Sequence, residues 1–257
     1  MRTAVQPETA IMSAWQFKPK LMPTVAVMLL FPALLALGFW QLDRAAQQAA
    51  RYSQYQDRRN MEPLDLDTAP LVGSNTGTLL WRRVSIRGIY DGATHYLLDN
   101  QVLNGQAGYL VYTPLRLVPG EIRVLVNRGW LPADADRSQL PRLPTPAGVV
   151  SLDGLIKDVP VTGILLSGDT WEDLAGGMVR VQNVDLNNIA RNSGHQFLPF
   201  IIRLDAVSEA GFERHWNDPG SGREKHLGYA FQWFLMSVAL IIIYLAVNLK
   251  KTAQPHA

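Results

Sequence analysis

The chain contains no cysteine. That absence excludes disulfide staples, C-x-x-C redox chemistry, thiol-based copper transfer and covalent c-type haem attachment. No G-x-S-x-G, H-E-x-x-H or Walker A string occurs either, so nucleophile elbows, zincin helices and phosphate-cradling loops are excluded. The histidines show no H-x-H or H-x3-H spacing: His95, His195 and His215 are scattered and read as structural or surface residues, and His256 sits in the tail. Glu172 and Asp173 beside Trp171 read as loop carboxylates rather than a proton-sharing pair, and Gly176 and Gly177 precede an extended run and read as a turn. Enzymatic activity is not expected. Internal repeats and low-complexity tracts are also missing.

Charge is scarce, at 18% of residues, and it is missing altogether from two long stretches. Residues 21–42 read LMPTVAVMLLFPALLALGFWQL, and 227–249 read LGYAFQWFLMSVALIIIYLAVNL. At about 1.5 Å per residue, a helix of either length crosses a hydrocarbon core of roughly 30 Å. Two transmembrane helices are expected, the first an uncleaved anchor because its apolar run exceeds the usual signal-peptide core. Pro23 stands near its start, where a helix tolerates it, and Pro32 stands mid-span, where a kink is expected. Residues 1–20 carry Arg2, Lys18 and Lys20 against Glu8, and 250–257 carry Lys250 and Lys251 with no acid. Both segments are therefore expected in the cytoplasm, with everything between the spans on the other side. Residues 43–226 hold 19 basic and 21 acidic side chains, a net of −2, so a nucleic-acid partner is not expected. The short N-terminal segment carries an acid, unlike an Arg- and Ser-rich transit peptide, so an organellar address is not expected. The expected address is a bacterial inner membrane, multi-pass, with the central domain in the periplasm and the bilayer as a partner.

Between the spans the texture changes twice. Residues 43–60 contain helix formers without Gly or Pro and predict a polar helical stem, followed by a Pro- and Gly-punctuated linker to residue 78. Residues 79–226 predict a periplasmic β-rich domain. WRRVSIRGIY, THYLLDN, GYLVYTPLRLV, IRVLVNRGW, VVSLDGLI, MVRVQNV and PFIIRLDAV are extended runs, with a turn at Pro119-Gly120 and a long Pro-rich loop before VVSLDGLI. Asp185 is an expected N-cap for a short helix LNNIARNS closed by Gly194. The fold class is membrane α+β: two transmembrane helices flanking one antiparallel domain, barrel or sandwich, with a short helix. Trp130 in NRGW is expected to pack its indole on the domain surface near the membrane rather than bind a metal.

His226 differs from the other histidines by standing at the mouth of the second span. Tyr229, Ala230, Trp233 and Ser237 follow at i+3, i+4, i+7 and i+11, which places an imidazole and two aromatic rings on one helix face. Gly228, Gln232 and Ala239 lie nearer another face, suited to close helix contact. The alternative is that these amphipathic residues simply favour the membrane interface. The first span ends in GFWQLDR, with Trp40 and Arg44 an i, i+4 pair. Gln41 and Gln232 are amides at membrane depth that are expected to bond each other or nearby backbone if the helices pair.

Several strings in order resemble the Surfeit locus protein 1 family of assembly factors for haem-copper cytochrome c oxidase. They are LGFWQLDR (37–44), VSIRGIYD (84–91), GYLVYTPLRL (108–117), VLVNRGWLP (124–132), LDGLI (152–156) and HLGYAFQWF (226–234). One departure is Gln48, where the family commonly has Lys four residues after the motif Arg. The resemblance implies a two-span protein that promotes maturation of the oxidase catalytic subunit, with haem A as a transient cofactor and haem A synthase as a further partner. It implies His226 as axial ligand of the haem iron, Tyr229 and Trp233 along the porphyrin plane, and Arg44, beside Trp40, toward a propionate. Two other readings remain beside it: a cofactor-free membrane scaffold that stabilises an oxidase assembly intermediate, and a periplasmic hydrolase.

Overall fold

A computed structural model of the chain describes residues 13–66, 76–134, 139–160, 171–216, 220 and 222–253. His256 and the segment 161–170 lie outside the described residues. In chain order the first elements are β1 (Ser13–Phe17), α1 (Leu21–Asn60), β2 (Leu64–Asp65), α2 (Thr76–Leu79), β3 (Arg83–Tyr90), β4 (His95–Leu103), β5 (Gln106–Leu117) and β6 (Arg123–Pro132). They are followed by β7 (Val149–Lys157), β8 (Trp171–Asp173), β9 (Met178–Val181), α3 (Leu186–Ser193), β10 (Phe197–Leu204), α4 (Arg223–Asn248) and β11 (Leu249–Ala253). Two compact units result, residues 1–52 with 219–257, and residues 53–218.

The first unit is a helix pair. The apolar windows of α1 and α4 are only 6% and 11% buried, so both helices turn most of their hydrophobic surface outward, unlike the core helices of a soluble domain. α1 continues through Pro32 and on along the expected polar stem to Asn60. The pairing is antiparallel: Lys20 N–H donates to Asn248 Oδ1 at 2.8 Å, the Thr24 and Tyr244 hydroxyls lie 3.0 Å apart, Phe39 meets Phe234 edge-on, and Gln41 meets His226. Contacts therefore advance along α1 as they recede along α4. Below them β1 pairs antiparallel with β11, from Ser13↔Ala253 to Phe17↔Leu249, and Asn248 is fully buried where the ribbon joins the helices. Lys18 N–H donates to its carbonyl, and its own amide donates to Tyr244 O. One side chain and its backbone thus satisfy the end of α4, where carbonyls would otherwise lack donors.

The second unit contains a closed barrel of five strands, β3-β7-β10-β6-β5, returning to β3. Closure depends on β5, which runs along β6 on one edge. On its other edge it bonds β4 with residues 106–112 and β3 with Leu115, Arg116 and Leu117. Gly88 sits at that seam: a Cβ there would lie 2.6 Å from Arg116 O, so only glycine lets β3 approach. The expected barrel or sandwich is a barrel. Its expected antiparallel character holds for the hairpins, but β10–β6, β2–β3 and β4–β9 are parallel. The long excursion through β8, β9 and α3 brings β10 back to β6 in the same direction, which reading adjacent runs as hairpins does not anticipate.

Among the described residues, two of the three apolar clusters occupy opposite faces of the barrel strands. Val84, Ile86 and Tyr90 of β3 alternate into the barrel, with Val124 and Val126 of β6, Leu152 and Ile156 of β7, and Phe200 and Ile202 of β10. Leu125 and Ile201 point the other way, into a second core with Tyr96, Tyr112, Val181 and Ile189 of α3. Burial on both faces explains why β6 is buried from Arg123 to Trp130 without alternation. α3 ends as expected: Asp185 Oδ1 accepts from Asn187 and Asn188 N–H at 2.9 and 3.2 Å, and Gly194 adopts the left-handed conformation.

Trp130 departs from its expected surface position. It is buried, at 6% exposure, and its Nε1–H donates to Gln101 O at 2.8 Å over Gly108. Glu172 and Asp173 form short β8 instead of a loop; Glu172 takes a bidentate bond from Arg180, and Asp173 accepts from Trp171 Nε1–H.

Candidate functional site

The end of the helix pair that carries Gln41 and His226 brings the chemistry together. Helix α4 begins at Arg223, one turn before the uncharged stretch, so His226 is already inside the helix and its ring direction is set by backbone. Gly38 of α1 admits the neighbouring helix: a Cβ on it would lie 2.6 Å from the Phe234 ring. Phe39 packs its ring edge against Phe234, with centroids 5.4 Å apart. This close approach faces Gln41 toward α4, where His226 Nδ1–H donates to Gln41 Oε1 at 2.7 Å.

That bond has a chemical consequence. An amide oxygen only accepts, so Nδ1 carries the proton of this bond, and a neutral ring then has its lone pair on Nε2. Gln41 is 9% exposed and His226 half-buried, so each satisfies a polar group of the other that is partly removed from solvent. The expected Gln41–Gln232 pairing is corrected here: Gln232 is exposed and Gln41 bonds His226. Gly228 and Ala239 are likewise exposed, and the small residue of α1 that admits the α4 ring is Gly38. On α4 the buried positions are Ala230, Ser237 and Asn248, a seven-residue repeat with one turn added, which marks the face against α1.

The Arg44 guanidinium lies 5.7 Å from the Trp40 ring centroid, as their i, i+4 spacing implies. Arg44 Nη1–H also donates to Gln47 Oε1 at 3.0 Å, and Gln47 Nε2–H donates to Asp43 Oδ2 at 2.8 Å. Tyr229 faces outward and Trp233 is half-buried. Neither makes a hydrogen bond or ring contact among the described residues. Among the described residues the site thus comprises the bonded pair His226 with Gln41, the cation–ring pair Arg44 with Trp40, and two rings with no hydrogen bond or ring contact.

Among the described residues no group of three or more His, Asp or Glu side chains could hold a bare metal ion. A single imidazole with a free Nε2 suits instead an iron whose equatorial positions are already filled by a macrocycle, because such an iron needs only axial ligands. The residues present therefore fit a haem as axial donor, flanking aromatic rings and an exposed guanidinium. Sequence spacing singled out His226, Tyr229, Trp233, Trp40 and Arg44; Gln41 as the orienting partner and Gly38 with Phe234 as the contact that sets the geometry emerge only from the pairing.

The other histidines lie elsewhere. His95 is 4% exposed, with Nδ1 2.9 Å from Thr113 Oγ1 and Nε2 3.4 Å from Thr145 Oγ1. Burial, and then the charge of Arg128, push its pKa down to about 4, so it is a neutral core residue. His195 is exposed, and His215 Nε2 lies 3.1 Å from Glu213 Oε1 at the surface.

The SURF1 family model matches residues 28–238. A Surfeit locus protein 1 from Arabidopsis thaliana is 34% identical over 105 residues, covering 37% of this chain and 30% of that protein. A SURF1-like protein from Dictyostelium discoideum is 32% identical over 108 residues, covering 39% of this chain and 40% of that one. A SURF1-like protein from the bacterium Rickettsia felis is 24% identical over 247 residues, covering 86% of this chain and 94% of that one. The matches to the first two relatives thus span well under half of their lengths.

Proposed function

The chain belongs to the SURF1 family, and on that premise we propose that it is a membrane assembly factor for haem-copper cytochrome c oxidase. In this reading it receives haem A, with haem A synthase as donor, and presents it to the oxidase catalytic subunit. The observation that carries the reading is the His226–Gln41 hydrogen bond of 2.7 Å, which engages Nδ1 and leaves Nε2 as the nitrogen that a neutral ring offers at the mouth of the helix pair. Haem A would supply an iron with open axial positions and a hydrophobic tail. His226 would hold that iron through Nε2, with Gln41 orienting the ring, Tyr229 and Trp233 offering aromatic surface, and Arg44 offering a cation to a carboxylate. The outward apolar faces of α1 and α4 receive the tail in lipid. Both helices cross a bacterial inner membrane, with the termini in the cytoplasm and residues 53–218 in the periplasm; the cations Lys18, Lys20, Lys250 and Lys251 support that orientation.

The test is the full chain purified in detergent from cells that make haem A. His226→Ala is expected to reduce co-purified haem by about ten-fold or more, with protein yield and circular dichroism unchanged, and to reduce holo-oxidase in the same cells. Reduced holo-oxidase at unaltered haem content would favour the scaffold reading instead.

A further inference from the structure

The β1–β11 ribbon, at the end of the helix pair away from His226, plays no part in the haem reading, yet its residues are sorted by face. In a β ladder, alternate residues and their directly opposite partners share one face. Trp15 and Phe17 therefore stand together with Leu249, the partner of Phe17, while Gln16 and Lys250 are partners on the reverse. Trp15, Phe17 and Leu249 are all exposed, Trp15 to 66%. Phe17 meets the Tyr244 ring of α4 edge-on, with centroids 5.9 Å apart, so the apolar face is the one turned toward the helices.

Three features say what covers that face. The ribbon joins both helices without slack: Leu249 directly follows the last residue of α4, three residues separate Phe17 from Leu21, and the Lys18 and Lys20 backbone N–H groups both donate to Asn248. Its outer edges have no ladder partner among the described residues, so it belongs where water and headgroups serve backbone groups and not in hydrocarbon. Charge is of one sign: residues 15–20 and 249–251 carry Lys18, Lys20, Lys250 and Lys251 and no acid, and Lys18, Lys20 and Lys250 are exposed. Lysine stems lie along apolar surface while their ammonium groups stay at the level of lipid phosphates, which attract them when the lipid is anionic. Tryptophan favours the same depth. Resting on the reading that α1 and α4 cross the membrane, we propose that the ribbon is a binding surface for anionic phospholipid, with Trp15, Phe17 and Leu249 against acyl chains and Lys18, Lys20 and Lys250 on headgroup phosphates. A ribbon seated this way fixes the depth of both helices, because neither can slide without lifting the aromatic face out of lipid.

The test is the full chain in discs of mixed phosphatidylglycerol and phosphatidylcholine, with a nitroxide on one introduced cysteine at a time: Trp15→Cys, Gln16→Cys, and Leu30→Cys on the outward surface of α1. Dissolved oxygen concentrates in lipid and a nickel chelate in water. Oxygen is expected to dominate relaxation at positions 15 and 30, and the nickel chelate at position 16. In the cysteine-free chain, Lys18→Gln, Lys20→Gln and Lys250→Gln should each lower the preference for spin-labelled phosphatidylglycerol over phosphatidylcholine by about five-fold, while Arg191→Gln, an exposed arginine on α3, leaves it unchanged. Nickel dominance at position 30 would defeat the crossing of α1 and the proposal with it; nickel dominance at position 15 with oxygen at position 30 overturns the ribbon proposal alone. Shielding of position 15 from both reagents would show that protein, such as a second copy of the chain, covers the face in place of lipid. Lysine variants that keep the wild-type lipid preference would overturn the anionic ligand.

Discussion

His95 lies in the core between two threonine hydroxyls, and its folded pKa of about 4 is below the ordinary value of 6.5. The unfolded chain therefore binds a proton near pH 6.5 that the folded chain refuses until near pH 4. Stability from this residue is fully present above about pH 6.5 and is lost as pH falls toward 4, by about 3 kcal/mol in total. Denaturant midpoints measured across that window should slope accordingly, and His95→Gln should flatten the slope. Trp130→Ala removes a buried indole and its bond to Gln101 O, and is expected to cost about 3 to 5 kcal/mol in unfolding free energy. Residue identity was legible in sequence where chemistry alone decides, as with the capping Asp185 and the exposed His195 and His215. It was not legible for Gln41. Two amides stood at similar depth, and the one that faces His226 depends on the rotation of α1, which Gly38 and Phe234 set from 196 positions apart in sequence. Gln41→Leu should leave α4 in place but free the imidazole ring, lowering haem occupancy by about ten-fold while leaving protein yield unchanged.

At the scale of elements, the contact of Gly38 with Phe234 invites a direct trial. Gly38→Val places atoms where the Phe234 ring sits and should push α1 from α4, so haem occupancy falls although His226 is intact. Phe234→Ala in the same chain opens the space again and should restore part of it. Equal occupancy in Gly38→Val and wild type would show that the helix contact does not set the site. The long strands were legible because period-two apolar patterns and turn residues mark them, and the stem because 18 residues from Asp43 to Asn60 lack Gly and Pro. The short strands β2 and β8 were not, since two or three residues become a strand only by borrowing a neighbour's hydrogen bonds. The parallel pairings escaped for a related reason: the return of β10 to β6 is decided by the whole excursion between β7 and β10, and local pattern carries no record of it.

For the whole molecule, the absence of cysteine makes topology easy to probe. Val207, at 88% exposure in the β-rich unit, and Lys250 beyond α4 can each be replaced by a lone cysteine. In spheroplasts a membrane-impermeant maleimide should label Val207→Cys and spare Lys250→Cys until the membrane is opened; the reverse pattern would invert the orientation. Hydropathy made two long apolar helices legible, and ordered motifs made the family legible, but the ribbon β1–β11 and the Asn248 clamp depend on two chain segments distant in sequence meeting. The central claim, that His226 is an axial ligand and not an interface residue, is tested most directly by the oxidised and reduced optical spectra of haem co-purifying with His226→Met and His226→Leu. These side chains are similar in bulk, but only methionine offers a donor atom to iron. Ligation predicts a Soret band that is shifted but retained with methionine and largely lost with leucine; equal bands at the wild-type position and intensity in both variants would contradict it.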